Sequence, residues 1–459
     1  MFGKILIADR GEAALRVLRT CRVLGVHTVA AYSERDRNAD HLRLADETLC
    51  IGPADPRKSY LDGTAIVAAA QHSGVEAIHP GDGPLAENPD FAAYVEAAGL
   101  TFVGARPETA RLMQDEAFMR EVMQAVGLPC LPRAEVASTI RPKALAQLAA
   151  TLGYPIAVRS LRDGRLSEIA RNDAELVAAL TKVRDRGEAL WGEREVLLEK
   201  APVAPRRIGF QLLADAYRNT VHLGTFEATL QRFQRCFVAE APPAGLAARS
   251  LGRIAERCVE AARRLNLRGL CTFYFLLDGD SFTFEQACPS LQPVHPVIEA
   301  TCGLDLVHEQ LLVAGGEKLR FRQRGVESRG HAIAGLIHTT RLGADSVSNL
   351  PSANANGVQL PGGADIRIDA ALPTGSDSAP VGETLLARIT ASGDSRELAI
   401  RRLRSALAET RLDGLRTTLP SLQQLLYEPA FLQCEADLHW LEQALQAARA
   451  KPSDPSHRA

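Results

Sequence analysis

Few stretches of this chain place reactive side chains where they could do chemistry. The hairpin from Cys271 to Ala287 carries Asp278 and Asp280 in its turn and Glu285 on the returning strand, with Glu227 upstream. Such carboxylates are what a hard divalent cation would need, since magnesium wants anionic oxygens. Asp278 and Asp280 are read more simply as turn residues, because aspartate side chains bond their own local backbone. The run SLRDGRLSE offers one glycine, Gly164, beside Asp163, and suits an ordinary surface turn. Glu199 and Lys200 in VLLEKAP can be read as solvated charges ending a strand. Cys434 with His439 is too sparse for zinc. The chain has no GxSxG, HExxH, GxGxxG or intact Walker loop.

The elements that must position these residues alternate from the start. KILIA is a strand, Arg10 to Leu24 has helical periodicity, and VHTVAAYS is a strand again, which predicts a βαβ unit on a parallel sheet. A helix near Ala65–His72, the strand VEAIHP, the helix PDFAAYVEAAG and the strand TFVGA continue a doubly wound domain, whose ligand edge lies at the strand C-termini. The Pro-punctuated LPCLPRAEV opens a smaller module containing the helix ALAQLAATLG, the strand YPIAVRS, the helix AELVAALTKVRDRG and the strand EVLLEKA. After Pro205 the pattern becomes antiparallel: RIGFQLLAD, NTVHLGTFEAT, a long helix SLGRIAERCVEAARRLN, then the hairpin with its DGD turn. Gly343 to Pro380 suits short strands and loops, while Ser395–Glu409 and Ser421–Ala448 are read as helices and KPSDPSHRA as a disordered tail.

Composition narrows the partners. The 459 residues, 46% hydrophobic and 24% charged, support ordinary buried cores and exclude a disordered or disulfide-stapled chain. Lys plus Arg number 53 against 55 Asp plus Glu, a net charge of −2, so no basic footprint for nucleic acid or an anionic membrane is present. Nine cysteines without a CxxC pair, and MFGKILIADRGE without a long apolar run, are read as a reducing, cytoplasmic setting with no membrane span.

At IADRGEAALRVLR, ADETLCIG, KSYLD, AIHPGDGPLAEN and PETARLMQD the sequence resembles biotin carboxylase, the ATP-dependent subunit of acyl-CoA carboxylases and a member of the ATP-grasp superfamily. The likeness runs collinearly through LGYPIAVRS, VLLEKA, AEAPPA, HPVIEATCGLDLVHEQL, RGHA, LPGG and LDGLRTTLP, with a small deletion near residue 162. It implies an α/β chain with a doubly wound N-terminal domain over residues 1–113 and an ATP-grasp domain over 114–328, whose lid, about 132–202, closes on ATP. A C-terminal α+β domain over 329–450 and a tail over 451–459 complete the expected chain. A homodimer is also implied, with Arg16 and Arg19 near its interface.

The resemblance further implies phosphate-binding cations, magnesium carboxylates and a base, and these positions depart from the pattern. Glu116 stands where a phosphate lysine is implied, and an anion repels triphosphate. Arg159 keeps the charge of the second lysine but not its point-like ammonium geometry. Tyr274, Gln286 and Cys288 occupy the implied metal-ligand positions, and none supplies an anionic oxygen. Glu285 would need a one-residue register slip to replace them. Ser290 and Val294 stand at the polarising arginine and the base, and valine cannot accept a proton. Leu336 replaces the arginine that stabilises the biotin enolate, Asp82 replaces a tyrosine in HPGDG, and Gln234 and Cys236 replace a histidine and a lysine.

Arg159, Glu199, Lys200, Gln231 and Gln292 remain as candidate cofactor-binding residues, Gln292 as a bicarbonate or urea partner or as a plain loop amide. His295 is read as structural, and Arg232 matches the family. The leading expectation is a biotin carboxylase-like protein without carboxylase chemistry, acting as a binding, regulatory or scaffold partner. ATP binding is then weakened, magnesium is not expected, and biotin is not covalently attached. The alternative is an active ATP-dependent carboxylase, or a ligase for another acid. Carboxylase subunits or a biotin carrier protein are the expected partners, in a homodimer or mixed dimer, with no nucleic acid and no membrane.

Overall fold

The computed structural model describes residues 1–161, 166–192, 194–232, 235–340, 357–372 and 385–450. The LRDGR glycine Gly164 with Asp163, Gln234, most of the Gly343–Pro380 region and the tail lie outside them. Among the described residues no helix is long and apolar enough to cross a membrane. The chain forms two compact units: Met1–Val126, Arg206–Tyr274 and Gln286 onward make the first, and Gly127–Pro205 with Phe275–Glu285 make the second.

The first unit opens with the expected parallel sheet, in the order Glu47–Gly52, His27–Ser33, Lys4–Ile7, Ala77–His79, Thr101–Phe102. Every neighbouring pair is parallel. Ile5, Leu6 and Ile7 are fully buried, the near-continuous apolar run of a strand covered on both faces. The helix Gly11–Leu24 follows the first strand and ends at Gly25 in the left-handed region, φ 70°. The helices Gly63–His72 and Pro89–Ala97 are capped by Asp62 and Asn88, each accepting two backbone N–H bonds.

The rest of the first unit is built on an antiparallel sheet running Gly269–Asp278, Arg206–Ala214, Thr220–Arg232, Arg235–Ala241, His331–His338, Leu385–Gly393, Ile366–Ala370. The hairpin partner of Gly269–Asp278 is Ser281–Cys288, and the hairpin's tip belongs to the second unit. The helix His295–Cys302 contributes its buried Val297 and Ile298 to the core of this sheet. The single helix expected over Ser421–Ala448 is three: Leu419–Leu425, Pro429–Leu432 and Trp440–Ala450. Pro429 has no N–H to continue the first and starts the second, and Cys434 at φ 61° turns the chain before the third.

The second unit holds a four-stranded antiparallel sheet in the order Arg133–Val136, Val196–Lys200, Ile156–Ser160, Ser167–Ala170. Its core of Val136, Ile156, Val158, Val196 and Leu198 is closed by Leu176, Leu180 and Val183 of the helix Asp173–Trp191. It differs from the expected lid of about 132–202 by including the hairpin tip, where Asp278 accepts from Val203 N at 2.7 Å.

Candidate functional site

In a parallel sheet of this order the chain leaves the central strand Lys4–Ile7 to one side first and the other side later, which opens a crevice beyond the carboxyl ends of that strand and Ala77–His79. The loops leaving those two strands carry Asp9–Glu12 and Gly81–Gly83. They form one wall of a cavity of about 410 Å3 that lies wholly within the first unit.

The turn Gly81–Asp82 is pressed against Asp9. Gly81 sits at φ 71°, and a Cβ there would come within 1.9 Å of Asp9 Oδ2. Asp9 accepts from Arg10 N at 2.7 Å and from Asp82 N at 2.9 Å. Burial nevertheless pushes its carboxyl upward. Asp82 is raised further, by burial first and then by the charges of Asp9 and Glu12. Glu12, in the first turn of its helix, accepts from Arg388 Nη2 at 2.6 Å. Arg388 is fully buried, also donates to the Pro293 carbonyl, and lies 3.6 Å from Asp369. A buried guanidinium needs such partners, because desolvation outweighs an unpaired charge.

The facing wall comes from the antiparallel sheet. Arg207 stacks on Tyr274, its guanidinium carbon 3.7 Å from the ring centre. Tyr274 Oη donates to Gln292 Oε1 at 3.2 Å, and Gln292 Nε2 donates to Ser290 Oγ at 2.8 Å and to Glu87 Oε1 at 3.3 Å. Ser290 Oγ closes the chain on Glu87 Oε1 at 2.7 Å. Val294, 3% exposed, and Leu336, 1% exposed, are apolar wall where the resemblance implied a base and an arginine. Gln231 lines the same cavity, as does Cys236, whose thiol burial pushes up to about 12. His295 Nδ1 donates to the Gln292 carbonyl at 2.9 Å, and burial holds its pKa well below the usual range, so the ring is neutral.

The structure thus brings Tyr274, Ser290, Gln292, Val294 and Leu336 together and leaves others apart. Cys288 is packed in the core and Gln286 is exposed. With the phenol engaged, the amide in solvent and the thiol in the core, the donor set does not fit magnesium. Among the described residues no group of three or more His, Cys, Asp or Glu side chains could hold a metal ion. Glu227 is held by Arg206, whose Nε and Nη2 approach its two oxygens at 2.9 and 2.5 Å.

In the second unit, Arg159 Nη1 lies 2.9 Å from Glu199 Oε2, a diagonal pair across adjacent strands. Lys200 Nζ donates to the carbonyls of Gly153 and Tyr154 at 3.1 and 2.5 Å. These groups serve the second unit's own sheet in this arrangement. Glu116 is exposed in the first turn of the helix Glu116–Ala125, where a carboxylate suits the positive end of the helix dipole.

Arg16, which the resemblance implies lies with Arg19 near a dimer interface, is 5% exposed and is bound to Glu299 and Asp305 at 2.7 Å each. Buried Glu299 and the more exposed Asp305 hold it against the fold, whereas Arg19 stays 45% exposed beside Asp369. Sequence reading missed Asp9, Glu12, Glu87, His41 and Arg388. The polar letters of IADRGE and LAEN, each following a strand, were the available signal for the first three. Nothing local marks Arg388, whose partner Glu12 is 376 residues away.

Comparison with known proteins places this geometry. The family model described as "Biotin carboxylase, N-terminal domain" matches residues 1–110, "Carbamoyl-phosphate synthase L chain, ATP binding domain" matches 115–322, and "Biotin carboxylase C-terminal domain" matches 346–443. Biotin carboxylase of Allochromatium vinosum is 39% identical over 449 residues, covering 97% of this chain and 99% of that one. Biotin carboxylase of Pseudomonas aeruginosa is 37% identical over 448 residues, with 97% and 99% covered. Among solved structures, the biotin carboxylase domain dimer of Hydrogenobacter thermophilus 2-oxoglutarate carboxylase, in complex with MgADP, ADP and bicarbonate, superimposes with a TM-score of 0.86. It shares 32% identity, with 97% of this chain and 98% of that one covered.

Proposed function

We propose, for a chain that belongs to the biotin carboxylase family, that it retains the family's scaffold and its central cavity but binds a ligand there without carboxylating it. The observation that carries this reading is the state of the cavity wall. Where an enzyme activating bicarbonate needs a base and a charged arginine, Val294 and Leu336 present buried methyl groups. The neighbouring polar side chains, Tyr274, Gln292, Ser290 and Glu87, are hydrogen-bonded to one another. A general base within reach of its proton is worth two to four powers of ten in rate, and charge stabilisation as much again. Losing both, with a donor set that does not fit magnesium, leaves binding as the function that this cavity supports.

A second reading is favoured by the relatives themselves, which are named as biotin carboxylases at up to 39% identity over nearly the whole chain. In it the chain is an ATP-dependent carboxylase or ligase, and Glu87, the carboxylate beside Gln292, takes the base's place. Domain order follows the family, with ATP-grasp residues over 114–328, and a homodimer is supported by the dimer named for the Hydrogenobacter thermophilus relative. Purified protein supplied with ATP, magnesium, bicarbonate and free biotin separates the readings. We expect no phosphate release above a protein-free control, and turnover that requires both bicarbonate and biotin would reverse the ranking.

A further inference from the structure

The cavity of the first unit is charged at both ends in a way the reading above leaves unexplained. At the parallel-sheet end, the carboxyl groups of Asp9, Glu12, Asp36, Asp40 and Asp82 share the wall with Arg10 and Arg35, and Glu12 holds the fully buried Arg388. Asp9 has two backbone N–H donors, but among the described residues no other residue donates to the Asp82 carboxylate. Carboxyl groups outnumber guanidinium groups at that end, five to three. His41 stands in the same wall, 1% exposed, with the Ala31 backbone beside its ring and no side-chain partner on either nitrogen. Buried polar groups are nearly always paired, so the ring nitrogen that Ala31 does not engage marks a place where a ligand's polar atoms belong. Burial lowers its pKa to about 4, which leaves one nitrogen as donor and the other as acceptor.

The antiparallel-sheet end contributes Arg207 and Arg235. The remaining lining includes Val294, Leu336, Leu372 and Leu385, apolar surface suited to a short hydrocarbon stem. The volume, about 410 Å3, is in the range of small-molecule sites.

The geometry points to a small zwitterion of the amino-acid class as the occupant, its ammonium against Asp82 and Asp9 and its carboxylate against Arg207 and Arg235. This rests on the non-carboxylating reading. A dianion would bring a second negative charge to the carboxyl pair, and a diamine would bring a cation to the arginines. A zwitterion complements both ends. It also lowers the cost of holding Asp82 beside Asp9 and Glu12, since an ammonium in contact favours the ionised form.

Isothermal titration of the full chain with L-lysine, γ-aminobutyrate, glutarate and putrescine tests the assignment. We expect at least one of the two amino acids to bind in the millimolar range or tighter, and more tightly than either glutarate or putrescine. Asp82→Asn and Arg235→Gln should each weaken that binding at least tenfold. The charged groups acting on Asp82 are Asp9, Glu12 and Arg388, and an ammonium placed beside the raised carboxyl favours its ionised form, so that its proton is released to the buffer. The binding heat at pH 7 should therefore vary with the buffer's ionisation enthalpy, and that dependence should vanish in Asp82→Asn. If Asp82→Asn fails to fold by circular dichroism, Asp9→Asn takes its place. Binding of glutarate or putrescine as tightly as the amino acids, no heat from either amino acid, or unchanged affinity in both charge variants would each overturn the inference. Bicarbonate- and biotin-dependent ATP turnover overturns the reading beneath it, whereas no turnover together with no amino-acid binding overturns the inference alone.

Discussion

Glu12 and Arg388 show how much one pair can carry. Removing Glu12 leaves a fully buried guanidinium facing Asp369 at 3.6 Å and a backbone carbonyl. Glu12→Ala should cost about 3–5 kcal/mol, the range for breaking one side of a buried ion pair, read as a lowered urea midpoint at unchanged slope. Gly81→Ala tests the other loop. Its backbone lies at φ 71°, and the added methyl would fall 1.9 Å from Asp9 Oδ2. A loss of about 2 kcal/mol or more is expected, and a melting temperature equal to that of the parent would show that the loop relaxes freely. Val294→Glu alone should not create turnover, because a carboxylate there enters an apolar wall without the cations and metal ligands that the chemistry needs. Phosphate release dependent on bicarbonate in that variant would contradict this.

The elements obey local chemistry where their ends are capped. Asn88 accepts from Asp90 N and Phe91 N at 2.9 and 3.1 Å and starts the helix Pro89–Ala97 beside the Glu87 loop. Asn88→Ala should cost about 1 kcal/mol in chemical denaturation. Because the cap also anchors Glu87, the variant should weaken any ligand of the cavity more than this stability loss implies at sites elsewhere. The βαβ start, the antiparallel hairpin and the strands of the second unit were legible from period and turn residues, with boundaries within a few positions. The C-terminal helix was misread because its apolar spacing continues across Pro429, and periodicity carries no information about a chain reversal.

At the scale of the molecule, buried titratable groups pull in opposite directions with pH. His41, His79 and His338 are each held near pKa 4 by burial, against an ordinary value of about 6.5. Below pH 6.5 the unfolded chain binds protons at these sites that the folded chain refuses, so each removes stability as pH falls from about 6.5 to about 4. The slope reaches ~1.4 kcal/mol per unit per group. Asp82 acts with the other sign. Its raised carboxyl keeps a proton in the fold that the unfolded chain has lost above 3.8, so its contribution declines as pH rises from there. Asp82→Asn should therefore be more stable than the parent at pH 7 and lose that advantage toward pH 4. Urea titrations at both pH values measure it, and an equal difference at the two would remove Asp82 as the source.

The sequence by itself determined the family, the order of the elements and the absence of a base at Val294, since ordered motifs and residue identity are properties of the chain alone. It also singled out Asp82 as a departure. Only the tertiary structure decided what Asp82 stands beside. Asp9, Glu12, His41 and Arg388 meet it at one crevice because the crossing order of five parallel strands brings the ends of Lys4–Ile7 and Ala77–His79 together, and because Leu385–Gly393 arrives from far along the chain. Contacts across such separations are set by topology and burial, and no local spacing encodes them. Arg16 follows the same rule: no local spacing shows that carboxylates nearly 300 residues away bury its side chain.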